Sequence, residues 1–234
     1  MTTPETTPSR EPLRPISSTR VVEASAAGRD SIPLFMTTEH FTLQTARAAA
    51  NAEVSSRLQL YLTTLSSTII ALALAAQLSG LDVAFQAFAL VLLPVVFFLG
   101  LATLGRIMQA SAEWRIYGQG MNRIRHYFLE AGPDMERYFI LPSTDDPWIS
   151  LKAVGIPKSL TSGLVSAGSV IIMINSVVAG VFGWLASSIV VTGAVIPAVC
   201  ASSAFLVSLV SAWMLADRAV RRSLESAPVE FPPE

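Results

Sequence analysis

Four long apolar runs alternate with polar stretches along the chain, at about Leu58–Leu78, Ala84–Ile107, Leu164–Leu185 and Ile189–Leu215. Each is about twenty residues or more, and a helix of that length crosses a hydrocarbon core roughly 30 Å thick. Only Ser79–Val83 separates the first two runs, and only a turn near Ala186–Ser188 separates the last two. Each pair is therefore predicted to fold back on itself. The fold class that follows is all-α, a polytopic membrane protein with four transmembrane helices arranged as two hairpins.

The first hairpin is predicted to continue beyond the membrane. From Glu39 to Leu78 there is no Gly or Pro, so about forty residues can run as one helix near 60 Å long. Thr37 or Thr38 is the expected N-cap, with Glu39 at the positive end of the dipole. The half before the first span carries a narrow face of Leu43, Ala46, Ala50, Val54 and Leu58. After the second span, Ile107, Trp114, Met121 and Phe128 recur every seven residues, with Ala110, Tyr117, Ile124 and Ala131 three residues after each. That is an a/d heptad pattern of about three heptads.

A face of large residues complements a face of small ones. The expected result is an antiparallel cytosolic coiled-coil handle, held by Ile107, Trp114, Tyr117, Met121, Ile124 and Phe128. The alternative is that this stripe faces another subunit. Gly118 and Gly120 weaken the return helix by up to about 1 kcal/mol each, and Gly132-Pro133 ends it.

The implied organisation is a disordered tail over 1–36, a helix–hairpin–helix unit over 37–131, a linker over 132–162, a second hairpin over 163–216 and a tail over 217–234. Within the linker, Asp134–Leu141 reads as a short amphipathic helix and Leu141–Trp148 as a loop. Trp148, Ile149, Leu151, Lys152 and Lys158 read as a return to the membrane interface. Pro157 fits the start of the third span. Pro94 is expected to kink the second span and Pro197 to bend the fourth.

Composition sharpens this picture. The chain of 234 residues is 52% hydrophobic and 14% charged, against about 25% charged in an average soluble domain. An ordinary soluble helical domain with a large core is the disfavoured alternative, because runs of eighteen or more residues without a charge are rare there. The net charge of −1 gives no global field for nucleic acid. Cys200 is the single cysteine, so neither an internal disulfide nor a multi-cysteine metal site is expected. No secretory signal peptide is read at the N-terminus.

Arg47 and Arg57 precede the first span, Arg106 to Lys158 lie between the second and third, and Arg218, Arg221 and Arg222 follow the fourth. The two short connections carry no Lys or Arg. The positive-inside rule then places both termini and the middle segment in the cytosol of a plasma (inner) membrane.

Candidate chemistry is sparse. Asp145-Asp146-Pro147 reads as a solvated turn, with cation binding the less favoured reading. His40 and His126 read as surface histidines. No catalytic set, metal site or cofactor motif is found. The span interiors hold no Asp, Glu, Lys, Arg or His, which argues against an ion-coupled transporter.

Thr63, Thr64, Ser66 and Ser67 with Asn175 form a candidate polar seam, although such hydroxyls also bond back within their own helix. Small residues at Ser176, Ala179, Gly180 and Gly183 predict close helix contact in the second hairpin. Arg115, Arg123, Arg125 and Arg137 form a basic-leaning surface. It reads as a solvated face, or as a surface for anionic lipid heads or a phosphate ligand.

The expected role is non-catalytic: an oligomeric scaffold in the lipid bilayer, or a subunit of a larger membrane assembly. A pore or channel gated by the handle is the alternative, and a small-solute transporter is less favoured. No motif assigns a family. The layout of Thr38–Ala131 resembles that of small bacterial two- and four-pass membrane effectors of anti-phage systems, which join a membrane hairpin to cytosolic helices. That resemblance implies a pore.

Overall fold

The computed structural model describes residues 18–153, 155, 166–225 and 228–232, with side chains from residue 31 onward. The expectations for residues 1–17, for Pro157 and Lys158, and for the exact start of the third span lie outside the described residues. Among the described residues there are helices and no strands: α1 (Ser18–Ser79), α2 (Val83–Ala131), a 3-10 helix (Pro133–Tyr138), α3 (Pro147–Ala153), α4 (Ala167–Ser188) and α5 (Val195–Glu225). Four are long and apolar enough to cross a membrane: Ser31–Ser79 within α1, then α2, α4 and α5.

The chain divides into two units, Met1–Glu39 and His40–Glu234. In the first, α1 already runs from Ser18 and carries Pro33 inside it. The sequence placed the helix start at Thr37 or Thr38. Instead the Thr37 hydroxyl donates to the Pro33 carbonyl at 2.8 Å and the Thr38 hydroxyl to the Leu34 carbonyl at 2.9 Å. A Thr inside a helix can back-bond in this way as readily as it caps a helix start.

In the second unit, Gly80–Asp82 joins α1 to α2. Gly80 takes φ +70, a conformation open to glycine at little cost. The Asp82 carboxylate caps α2 by accepting from the Phe85 N–H at 3.1 Å. Partner numbers fall along α1 as they rise along α2. Tyr61 lies against Gly100, Glu53 is 2.8 Å from Arg106, the Arg47 guanidinium covers Trp114 and Leu43 lies against Gly120. Ala50 is buried, and Val54 and Leu58 pack on the core cluster. The small-residue face of α1 is therefore a packed face. The Arg106 hydrogen bond and its charge hold the Glu53 carboxyl below its usual range, with Arg57 adding to the effect.

The core is centred where α1, α2 and α4 meet, around Tyr61, Leu93, Val96, Ile107 and Ile171. Gly100 makes this possible. A Cβ built there would stand 2.7 Å from the Asn175 amide carbon and 3.1 Å from the Tyr61 ring. Gly180 and Gly183 do the same for α4 on α5. A Cβ on Gly183 would lie 3.0 Å from the Cys200 carbonyl oxygen, and one on Gly180 would lie 3.3 Å from that of Ala201. The small faces read from the sequence are thus close-approach surfaces.

Gly100→Leu is expected to cost about 1–3 kcal/mol through overpacking. Gly105 on the same helix faces open space, so Gly105→Leu is the matched control. Thermal melting of both variants in detergent checks this, and equal losses would contradict the packing of α4 on α2.

Pro94 lies inside α2, which continues through it as one helix. Two elements differ from expectation. The last helix begins at Val195 rather than Ile189, after Gly193 at φ +108. Pro197 therefore falls in the first turn, where its missing N–H breaks no ladder bond, and no bend is needed there. The Asp134–Leu141 stretch forms a 3-10 turn over Pro133–Tyr138, not an amphipathic α-helix, and Met135, Tyr138 and Ile140 stand exposed.

Candidate functional site

The polar chemistry of this chain is concentrated at the far end of α2. There α2 is met by the 141–153 segment, by the end of α5 and by residues 228–232. Asp145 is the centre of this assembly and is fully buried. One carboxylate oxygen accepts from Arg123 Nε at 2.8 Å and from the Glu230 N–H at 3.0 Å, and the other accepts from the Phe231 N–H at 3.0 Å. The Asp145 backbone carbonyl accepts from Gln119 Nε2 at 3.0 Å. Burial pushes the Asp145 carboxyl up, but the two backbone donors and Arg123 outweigh it and hold the group below its usual range.

The neighbours tighten the same knot. The Thr144 hydroxyl donates to the Phe231 carbonyl at 2.7 Å, and Arg123 donates to the Pro228 carbonyl at 2.6 Å. The Phe231 ring stacks on His126 with centroids 3.9 Å apart. Asp146 caps α3 by accepting from the Trp148 N–H at 2.7 Å. The expected solvated Asp-Asp-Pro turn is therefore corrected. Asp145 is a buried hub and Asp146 a helix cap, and both carboxylates are met by hydrogen-bond donors.

Beside the hub is a small cavity of about 40 Å³, walled by Arg47, Trp114, Arg115, Gly118, Asn122 and Ser150 among others. The Arg47 guanidinium lies 3.8 Å from the centre of the Trp114 ring. It also lies over Gly118, where a Cβ would sit 3.5 Å from the guanidinium carbon, at ordinary contact distance. Arg115 donates to the Ser223 hydroxyl at 3.1 Å, tying α2 to α5. Arg125 stands behind the wall, donating to Asn122 Oδ1 at 2.7 Å and to the Pro142 carbonyl at 2.8 Å. Desolvation lowers the pKa of all three arginines, and the Arg47 charge lowers that of Arg125 further.

The structure regroups the basic residues read from the sequence. Arg115 lines the cavity, Arg125 stands behind its wall, Arg123 is committed to Asp145, and Arg137 lies apart on the 3-10 turn over Tyr138. They do not form one surface. Arg47 was read only as a topology marker, and its place in the cavity wall was missed.

Of the heptad residues, Ile107, Met121 and Ile124 are buried, while Trp114, Tyr117 and Phe128 are half-buried. The candidate seam is divided. Asn175 is buried and accepts from the Tyr61 hydroxyl at 3.4 Å, a long bond. Thr63, Thr64, Ser66 and Ser67 are exposed on α1. The Thr64 and Ser67 hydroxyls turn back to the Leu60 and Thr63 carbonyls. These four do not meet Asn175. The polar partner of Asn175 is Tyr61, which the sequence pattern did not single out. No protein-family model, curated protein or solved structure matches this chain.

Proposed function

We propose that the chain is a non-catalytic, multi-pass membrane protein that assembles with copies of itself as a scaffold or assembly subunit. Its four apolar helices cross the bilayer as two hairpins. The far half of α2, with α3 and residues 228–232, forms a cap on the cytosolic side of a plasma membrane. The bias of basic residues toward that side supports the orientation.

One observation carries the assembly reading. Ser55, Gln59, Thr63, Ser66 and Ser67 share a shallow groove of about 490 Å³ on the outer side of α1, and all five are exposed. A hydroxyl can satisfy itself within its helix, but the Gln59 amide cannot. Facing lipid, that amide lacks partners. Facing the same stripe on another copy, it finds them.

A pore is the second reading, favoured by the same hydroxyls if several copies place them around a water-filled axis. The absence of charge in the span interiors supports a scaffold or passive pore over a coupled transporter.

The test is oligomeric mass in detergent together with ion flux in liposomes. The expected outcome is a defined oligomer, dissociated at least in part by Thr63→Leu with Ser66→Leu. A chain that is monomeric at every concentration would overturn the assembly reading. Flux by the oligomer, changed by those substitutions, would move the pore reading ahead of the scaffold.

A further inference from the structure

The cavity beside Asp145 holds more positive charge and more donors than its surroundings use. Arg47 and Arg115 each bury an Nε–H that meets no acceptor among the described residues. An unmet buried donor is costly, and more so when it is charged. Neither arginine, nor Arg125 behind them, is ion-paired among the described residues, whereas Arg123 is neutralised by Asp145. The wall amides are already spent: Asn122 Nδ2 donates to the Thr144 carbonyl at 2.9 Å and to the Ser150 hydroxyl at 2.8 Å. What is left over is guanidinium.

We infer that this cavity binds a phosphoryl-type oxyanion, held by Arg47 and Arg115 against the Trp114 wall. Its volume of about 40 Å³ is several times the roughly 10–15 Å³ that one water needs. That suits a small tetrahedral oxyanion and leaves no room for a nucleoside. Two planar guanidinium forks match phosphate oxygens better than ammonium groups would. Seating Arg47 on α1 and Arg115 on α2 would let the anion tie the two helices together, and the Arg115 bond to Ser223 carries the same tie to α5.

Position along α2 separates the two sources of such a group. Trp114 to Asn122 lie seven to fifteen residues past Ile107, about 10 to 22 Å along the helix. The headgroup layer reaches roughly 5–8 Å beyond the hydrocarbon. A phosphoryl group free in water is therefore favoured over one on a bilayer lipid.

The experiment uses the full chain in phosphatidylcholine nanodiscs. Inorganic phosphate is titrated against chloride at constant ionic strength, with melting temperature and tryptophan fluorescence as readouts. A second arm omits phosphate and dopes the nanodiscs with phosphatidic acid. The expected result is a saturable rise in melting temperature with phosphate and none with chloride. Arg47→Gln or Arg115→Gln should raise the half-saturating concentration about tenfold or more.

Arg115→Lys keeps the charge and loses the fork, and it should weaken binding by less. It serves if either Gln variant fails to fold. A response to phosphatidic acid alone, lost in the same variants, would uphold the site and make lipid the source. No saturable response of the wild-type chain to either anion, or a response unchanged in all variants, would overturn the inference.

Discussion

Ile124→Asp is expected to cost about 4 kcal/mol and to melt the far half of α2 away from its neighbours, because it buries a charge with no cation one turn away along α2. Ile124 is 6% exposed. Its helical neighbours one turn away are Gly120, Met121, Tyr127 and Phe128. The other stripe positions are weaker probes. Trp114 lies beneath the Arg47 guanidinium, so an Asp there would gain a partner. Met121 has Arg125 four residues on, within reach on the same helix face. Melting temperature and limited proteolysis in detergent read the effect. Wild-type melting in Ile124→Asp would mean that the stripe is not a packed face.

Asp145→Ala is expected to cost about 3 kcal/mol and to release residues 228–232 from α2. The substitution leaves the Glu230 and Phe231 N–H groups and the Arg123 Nε–H without their acceptor. Hydrogen exchange at Glu230 and Phe231 should rise sharply, and a proteolytic site should open near Pro228. Protection equal to wild type at those amides would show that Asp145 does not hold the segment.

Acid should reproduce the release. The folded-state pKa of Asp145 lies below its ordinary value, so its contribution is present above the unfolded carboxylate pKa of about 3.9. The contribution is lost as pH falls from there through the lower folded value. Between pH 5 and 8 this group contributes no pH dependence. Release of the segment in that range would point to a different titrating group.

The helical part of this structure was legible because its signals are periodic and local. Apolar length identified the four helices long enough to cross a membrane, and the short Ser79–Val83 break marked the turn after α1. The small-residue face of α1 and the glycine faces of α4 could be read because close packing needs small side chains in register. Start positions were less legible. Thr37 and Thr38 carry identical signals for a cap and for a back-bond, and only the conformation of the preceding residues decides between them. Val190–Ala194 is apolar enough to pass as helix, and its turn is set by Gly193.

The polar assembly was the least legible part, for a physical reason. Asp145 is satisfied by one side chain 22 residues before it and by two backbone N–H groups 85 and 86 residues after it. A backbone donor carries no side-chain signature, so Asp145 looks the same in sequence as any turn aspartate. Arg47 was hidden similarly. Its position is set by the Trp114 ring 67 residues later in the chain, a contact that leaves no local pattern around Arg47.

The Asp145 knot also has an order of assembly written into it. Ribosomes make the chain from its N-terminus, so Arg123 and Asp145 exist before Glu230 and Phe231 do. Until Glu230 and Phe231 are made, the Asp145 carboxylate lacks its two backbone donors and the His126 ring lacks its cover. The cap on α2 can therefore close only after all four long apolar helices have been synthesised. A nascent chain that stalls within α5 keeps that surface open.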